Sequence, residues 1–222
     1  MLFRSRLRRV IRPFILRRTK EVVESSLPPK EETVLFAEMG ALQAAAYQAI
    51  RKRYRVLVAG ALKDRGVPGS GTMIFEGLLR LRQAACFPGH ADASYEGVPS
   101  CKMEVFGDLL DEVLAGGHKL LVFSQFVRNL EEIRSVLAAR GTAYCYLDGS
   151  TPDRQEVVDA FQRDDGPPVF LLSLKAGGVG INLTAADYVV ILDPWWNPAV
   201  ESQAVDRSHR IGQTRAVFVY RI

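Results

Sequence analysis

From Pro99 onward, apolar runs of strand length alternate with amphipathic stretches of helical period, an alternation that leaves few folds open. Lys119–Phe126 (KLLVFSQF) is a continuous apolar run, and the following VRNLEEIRSVLAAR repeats its apolar residues every three to four positions until Gly141 stops it. AYCYLDG is the next predicted strand. Thr151-Pro152 is predicted to cap and open a helix running to about Arg163, and Val169–Leu174, Tyr188–Asp193 and Ala216–Ile222 supply three further strands. Strands without a polar face need cover on both sides, so the predicted fold class is α/β, an open parallel sheet with helices on both faces. Ligands of such sheets bind beyond the carboxyl ends of the strands. Ser124-Gln125, Asp148-Gly149-Ser150, Lys175–Gly178 and Asp193–Trp196 all fall there, so four loops converge on one edge.

The chain before Pro99 has a different grammar. Residues 1–20 hold eight Lys/Arg and no acid, so with a total of +4 the rest of the chain sums to −4. Arginines interrupt every apolar run in MLFRSRLRRVIRPFILRRTK, which favours a basic structural arm over a targeting peptide. Leu27-Pro28-Pro29 marks a break, and Thr33–Met39 is expected as a short strand or extended crossing. Helical spacing then runs from Ala41 to about Asp64, where the loop RGVPGSG ends it. Thr72 is predicted to cap a second helix, which Phe87-Pro88-Gly89 stops. Ser100 is predicted to cap the next, closed by Gly116-Gly117. No apolar run approaches the roughly 18 to 20 residues that cross a bilayer. The three cysteines are odd in number and lack CxxC spacing, which argues against a disulfide framework and against zinc. A reducing, cytoplasmic setting and no metal site are therefore expected.

The chemistry concentrates in Ser173–Gln213. Asn197-Pro198 is predicted to open a helix, PAVESQAVDRSHR, that Gly212 ends, and Gln203, Arg207 and Arg210 are then expected to leave one helix face. Two guanidiniums aimed together are best tolerated with an anion between them, and arginine suits both the bidentate grip of phosphate and the finger role in phosphoryl transfer. The alternative is a solvated face in which Asp206 and Glu201 pair the arginines, and spacing alone does not choose. Gly177, Gly178 and Gly180 allow close backbone approach to a ligand. They are not a Walker A loop, since no GK[ST] follows, and the third glycine of GxGxxG is missing. Asp111-Glu112, the one Asp-Glu pair, lacks the His of a DEAH box. Trp195 and Trp196 are open to two readings: core residues, as large aromatics usually are, or, because they follow a strand end, at least one at the loop edge, where a base can stack on it. His90, His118 and His209 have no metal-like partners in sequence.

Together these segments resemble the C-terminal helicase lobe, the second RecA-like lobe, of the Swi/Snf family of DNA-dependent ATPases. PFILRRTKEVVESSLPPKEE resembles the segment joining that family's two motor lobes, LLRLRQAACFP its helical insert, KLLVFSQF its motif IV and LDGSTPDRQEVVDAFQ the block that follows. SLKAGGVGINLTAADYVVILDPWWNP resembles motif V and ESQAVDRSHRIGQ motif VI. The resemblance covers nearly the whole chain and implies three parts: a basic interlobe linker over 1–40, a helical insert over 41–98 and a RecA-like lobe over 99–222.

It further implies that Arg207 and Arg210 are arginine fingers reaching ATP on the first lobe, with Gln203 orienting them and Gly178, Gly180 and Asn182 on the nucleotide side. Ser124, Gln125, Gly149, Ser150 and Lys175 would meet the DNA backbone, with Trp196 near the tracked strand. The implied ligands are ATP with Mg2+, held mainly by the first lobe, and the implied partners are double-stranded DNA and that N-terminal lobe. Walker A and the acidic box are not in these 222 residues. The chain is therefore expected to be a monomeric part of a longer motor, with Met1 an internal or artificial start, and to be inactive alone. The wording LDPWWNPAVE leans towards bacterial members, where the setting would be cytoplasmic and nucleoid-associated. A non-catalytic DNA- or protein-binding module is the alternative. A dinucleotide enzyme is disfavoured because no strand is followed by GxGxxG.

Overall fold

The computed structural model describes Val10, residues 27–175 and residues 181–222. Its centre is a six-stranded sheet in which every strand pair is parallel, in the order β1-β6-β5-β2-β4-β3. The strands are β1 (Lys30–Val34), β2 (Leu120–Ser124), β3 (Tyr144–Leu147), β4 (Val169–Ser173), β5 (Tyr188–Ile191) and β6 (Val217–Arg221). The helices are α1 (Ala41–Cys86), the single turn α2 (Pro88–Ala91), α3 (Cys101–Ala115), α4 (Val127–Ala139), α5 (Arg154–Gln162) and α6 (Pro198–Val205).

The absence of a polar face on β2 and β4 explains their place. All five residues of each are buried, and each lies between two other strands. Successive side chains of a strand point to opposite faces. Thus Leu121 and Phe123 join Phe161, Phe170, Val189 and Val205 on one side, while Leu120 and Val122 join Phe106, Leu110, Ile133 and Val190 on the other. Helices α5 and α6 cover the first face, α3 and α4 the second. Each fully buried Phe or Leu contributes about 1.5–3 kcal/mol, so the two layers are the main source of stability. The three thiols are free and buried, and burial pushes that of Cys86 up to about 12, which leaves it a small apolar residue.

Several boundaries differ from the sequence-based expectation. The first strand lies at 30–34, earlier than expected. It forms the exposed edge beside β6, so the segment read as linker carries a strand of the sheet. Helix α1 breaks at Gly66 alone, with φ 65° and ψ −178°, and Pro68 falls in the first turn after the break, where its missing N–H is not needed. Thr72 is consequently inside the second segment and caps nothing. The two segments pack side by side as a hairpin: the Tyr54 hydroxyl lies 3.0 Å from Glu76, and the Tyr54 ring covers Gly77. Gln43 closes its base, donating to the carbonyls of Ala84 and Ala85 and accepting from the Cys101 amide at 2.8 Å.

Helix α5 starts later than Thr151-Pro152 suggests. Asp148 accepts from the Ser150 amide and hydroxyl, and the Thr151 hydroxyl accepts from the Asp148 amide at 3.0 Å, which fixes a tight turn. Asp153 then caps the helix through the Glu156 amide. Ser100 and Asn197 cap α3 and α6 as expected.

Candidate nucleotide and nucleic-acid interface

Because every strand runs the same way, the loops after β2, β3, β4 and β5 all leave one edge of the sheet. From the β3 side inward they present exposed Gly149 and Ser150, exposed Lys175, half-buried Gln125, and then Pro194–Trp196. Trp196 is 62% exposed and Trp195 half-buried, so the pair divides between the two roles open to it in sequence. Gln125, Leu174, Lys175, Trp195 and Val200 line a cavity of about 480 Å³ between the ends of β2 and β4 and the start of α6. Gly178 and Gly180 lie outside the described residues. Asn182 is exposed in the loop that leads to β5.

Ser124 differs from its expected role. It is fully buried, and its hydroxyl donates to the Phe126 carbonyl and accepts from the Phe126 amide, both at 3.0 Å. It shapes the β2 loop and presents no hydroxyl to a ligand. Ser150 donates its hydroxyl to Asp148, an interaction that holds the Asp148 carboxyl below its usual range.

The centre of this edge is Asp193. Its carboxylate is 3% exposed and accepts the Gln125 amide with both oxygens, at 3.1 and 3.0 Å, pinning the β2 loop to the β5 loop. Burial pushes the carboxyl up to about 6, against the lowering influence of the Ser124 hydroxyl and the Gln125 amide. A folded-state value above the ordinary 3.8 means that the native protein binds this proton more tightly than the unfolded chain. Its contribution is therefore most favourable below pH 4 and is lost as pH rises through 6, by about 3 kcal/mol in all. Asn at this position mimics the protonated acid at every pH. Unfolding of wild type and Asp193→Asn across this range is expected to show the difference moving in favour of Asn between pH 4 and 6; a pH-independent difference refutes the assignment.

The three residues expected on one helix face are not so arranged. Helix α6 ends at Val205, and the Arg207 amide bonds the Ala204 carbonyl in a tighter turn. The helix is not resumed beyond that turn because its next carbonyls are taken: Arg207 O accepts the Leu183 amide at 2.9 Å, and Ser208 O accepts Gln213 Nε2 at 3.2 Å. Gln213 Nε2 also reaches the carbonyls of Thr184 and Ala186, while its Oε1 accepts the amides of Thr214 and Arg215. The outcome is that Gln203 and Arg210 are exposed while Arg207 is 7% exposed. Among the described residues, Arg207 Nε and Nη1 have no hydrogen-bond partner, and burial pulls the guanidinium below its ordinary range. Glu201 pairs neither of these arginines. It accepts from the Trp195 amide and binds Arg221 at 2.9 Å.

Residues 101–212 match the helicase conserved C-terminal domain, and residues 2–90 match the SNF2-related domain. Over 98% of its length the chain is 38% identical to the human SWI/SNF-related matrix-associated actin-dependent regulator of chromatin subfamily A member 1. The chain is a C-terminal lobe of the Swi/Snf ATPase family. The Sulfolobus solfataricus SWI2/SNF2 ATPase core in complex with dsDNA is 33% identical, with a TM-score of 0.73 over 98% of this lobe and 46% of that chain. The C-terminal part of the Fun30 ATPase domain reaches the same TM-score at 25% identity, covering 88% of this lobe and 85% of that chain. These likenesses make the parallel sheet a RecA-like fold. An uncharacterized ATP-dependent helicase of Mycoplasma pneumoniae is 37% identical over 95% of the lobe, so human and bacterial relatives do not assign a bacterial source. The lobe spans about a fifth of the length of these curated relatives, 22% of the human one and 20% of the bacterial one.

Four residues that shape the Swi/Snf edge escaped the sequence reading: Arg82, Asp193 as a buried acid, Glu201 as a brace and Gln213 as a knot. Arg82 and Gln213 lie within stretches that carry the family resemblance, LLRLRQAACFP and ESQAVDRSHRIGQ, yet neither stretch says which carbonyls they reach.

Proposed function

We propose that this lobe is one half of an ATP-driven double-stranded DNA translocase or remodeller, closing on a first lobe that carries the phosphate-gripping loop. The observation that carries the reading is Arg207. A buried guanidinium with open N–H groups is costly unless an anion meets it, and a transferring phosphoryl group is such an anion. Arg207 would be the inner finger, held by the turn that Gln213 ties. Arg210, exposed in the same turn, would be the outer one reaching across the interlobe cleft, with Gln203 of α6 helping to orient the pair. Asn182, Gly178 and Gly180 would form the nucleotide side of the adjoining loop. ATP with Mg2+ would be held mainly by the first lobe.

Gln125, Gly149, Ser150, Lys175 and Trp196 would meet the DNA backbone. Such contacts position a strand without reading bases, so binding is expected to be sequence-tolerant and strongly salt-dependent. The dsDNA in the Sulfolobus relative's complex and the RecA-like likeness support this reading. Among the described residues no helix is long and apolar enough to cross a membrane.

Purified alone, the 222-residue chain is expected to show negligible ATP hydrolysis with or without duplex DNA. Joined to its first lobe in the full-length protein, it is expected to hydrolyse ATP with DNA stimulation. Turnover by the chain alone overturns the two-lobe assignment. A full-length protein that binds DNA and never hydrolyses ATP points instead to a non-catalytic binding module.

A further inference from the structure

The second segment of α1 sends one side chain onto the strand edge. Arg82 Nη1 donates to Gln125 Oε1 at 2.7 Å, and Nη2 donates to the carbonyls of Pro194 at 2.9 Å and Asp193 at 3.3 Å. The same guanidinium lies 4.8 Å from the ring centroid of Trp195, 5.4 Å from that of Phe126 and 5.7 Å from that of Trp196. One planar cation thus touches two loops, 43 and about 111 residues away in sequence. Lysine offers no equivalent, because a point charge cannot present parallel donors in a plane and stack a flat face on rings at once.

We infer that Arg82 is a positioning residue, a latch by which the helical hairpin sets the orientation of Gln125 and the Trp195-Trp196 turn towards DNA. The inference rests on the DNA-binding reading above. The two loops are already pinned to each other through Asp193 and the Gln125 amide, but that bond fixes backbone only. The Gln125 side chain and the tryptophan rings are oriented by Arg82. The latch also joins parts that share no strand pairing. The base of the hairpin is anchored to α3 through Gln43, which holds the helix turn carrying Arg82 in place beside the strand edge.

The test uses this chain, whose only two tryptophans are both in the latched turn, so its fluorescence reports on that turn alone. Acrylamide quenching, thermal midpoint and affinity for a labelled DNA duplex are measured for wild type, Arg82→Met, Arg82→Lys and Gln125→Ala. Arg82→Met is expected to raise tryptophan quenching and weaken duplex binding by about tenfold, roughly the loss of one oriented set of charged contacts. Arg82→Lys is expected to keep the wild-type thermal midpoint and still show raised quenching and weakened binding. It is the variant that decides should Arg82→Met fail to fold. In the Gln125→Ala background, Arg82→Lys is expected to weaken binding less than in wild type, since part of the pathway is already gone. Arg82→Lys matching wild type in quenching and affinity overturns the latch and leaves Arg82 a structural charge. Wild-type chain that does not bind duplex at low salt removes the DNA-binding reading instead, and quenching then decides alone whether Arg82 holds the turn.

Discussion

Arg210→Ala in the full-length motor is expected to lower ATP turnover by about a thousandfold or more, the range lost when an arginine finger is removed. Duplex affinity is expected to change by less than about twofold, because the DNA-facing loops lie at the ends of other strands and act through phosphate contacts of their own. Arg210 suits this experiment better than Arg207. It is exposed in a turn, where truncation to alanine costs about 0.5 kcal/mol or less of stability. Arg207 is buried in the turn after α6, whose backbone bonds the Leu183 amide, and its removal would disturb packing as well as charge. ATP turnover with and without DNA, together with a direct binding measurement, separates the two effects. Wild-type turnover in Arg210→Ala removes the finger assignment.

Gln213→Ala is expected to destabilise the lobe by about 3 kcal/mol, the loss of five hydrogen bonds made by one buried side chain at about 0.5–1 kcal/mol each. Two carbonyls and two amides lose this partner at once, those of Thr184 and Ala186 and those of Thr214 and Arg215, while the Ser208 carbonyl is left with the Arg210 amide. For a chain of this size that corresponds to a fall of about 10 °C in thermal midpoint. Circular dichroism melts check it, and a midpoint within about 2 °C of wild type would show that the Leu183–Arg207 backbone bond alone holds the turn. Because the same knot fixes Arg207 in its buried place, the variant is also expected to lose turnover in the full-length protein at temperatures where it is still folded.

Both expectations turn on a place where local sequence rules and tertiary contacts disagree. The run PAVESQAVDRSHR has good helical periodicity, and nothing local forbids another turn after Val205. The Arg207 amide slips to the Ala204 carbonyl, and what keeps the helix from resuming after that turn is competition for carbonyls. An amide from residue 183 and a side-chain donor from residue 213 take the acceptors that residues 211 and 212 would need. The donor at 183 is brought there by the sheet, which periodicity cannot see. The same holds for α5, whose start is delayed by the Asp148–Thr151 turn. Glu201 is a third case: a nearby acid looks like a partner for Arg207 until Arg221 arrives from the adjacent strand.

Five of the six strands and their shared direction were determined locally, because an apolar run with no polar face has no stable place except between layers, whereas β1 is polar and exposed and was placed by its pairing with β6. The sequence by itself therefore specified an α/β lobe with its loops on one edge and two arginines near that edge, and the wording of those loops specified the family. Only the tertiary structure decided that Arg207 is buried and Arg210 exposed. It also decided that Ser124 is turned inward, and that Arg82 crosses from the helical hairpin to the tryptophan turn. The physical reason is range: periodicity and caps act within a turn or two of chain, whereas these side chains are set by backbone donors and acceptors up to about a hundred residues away.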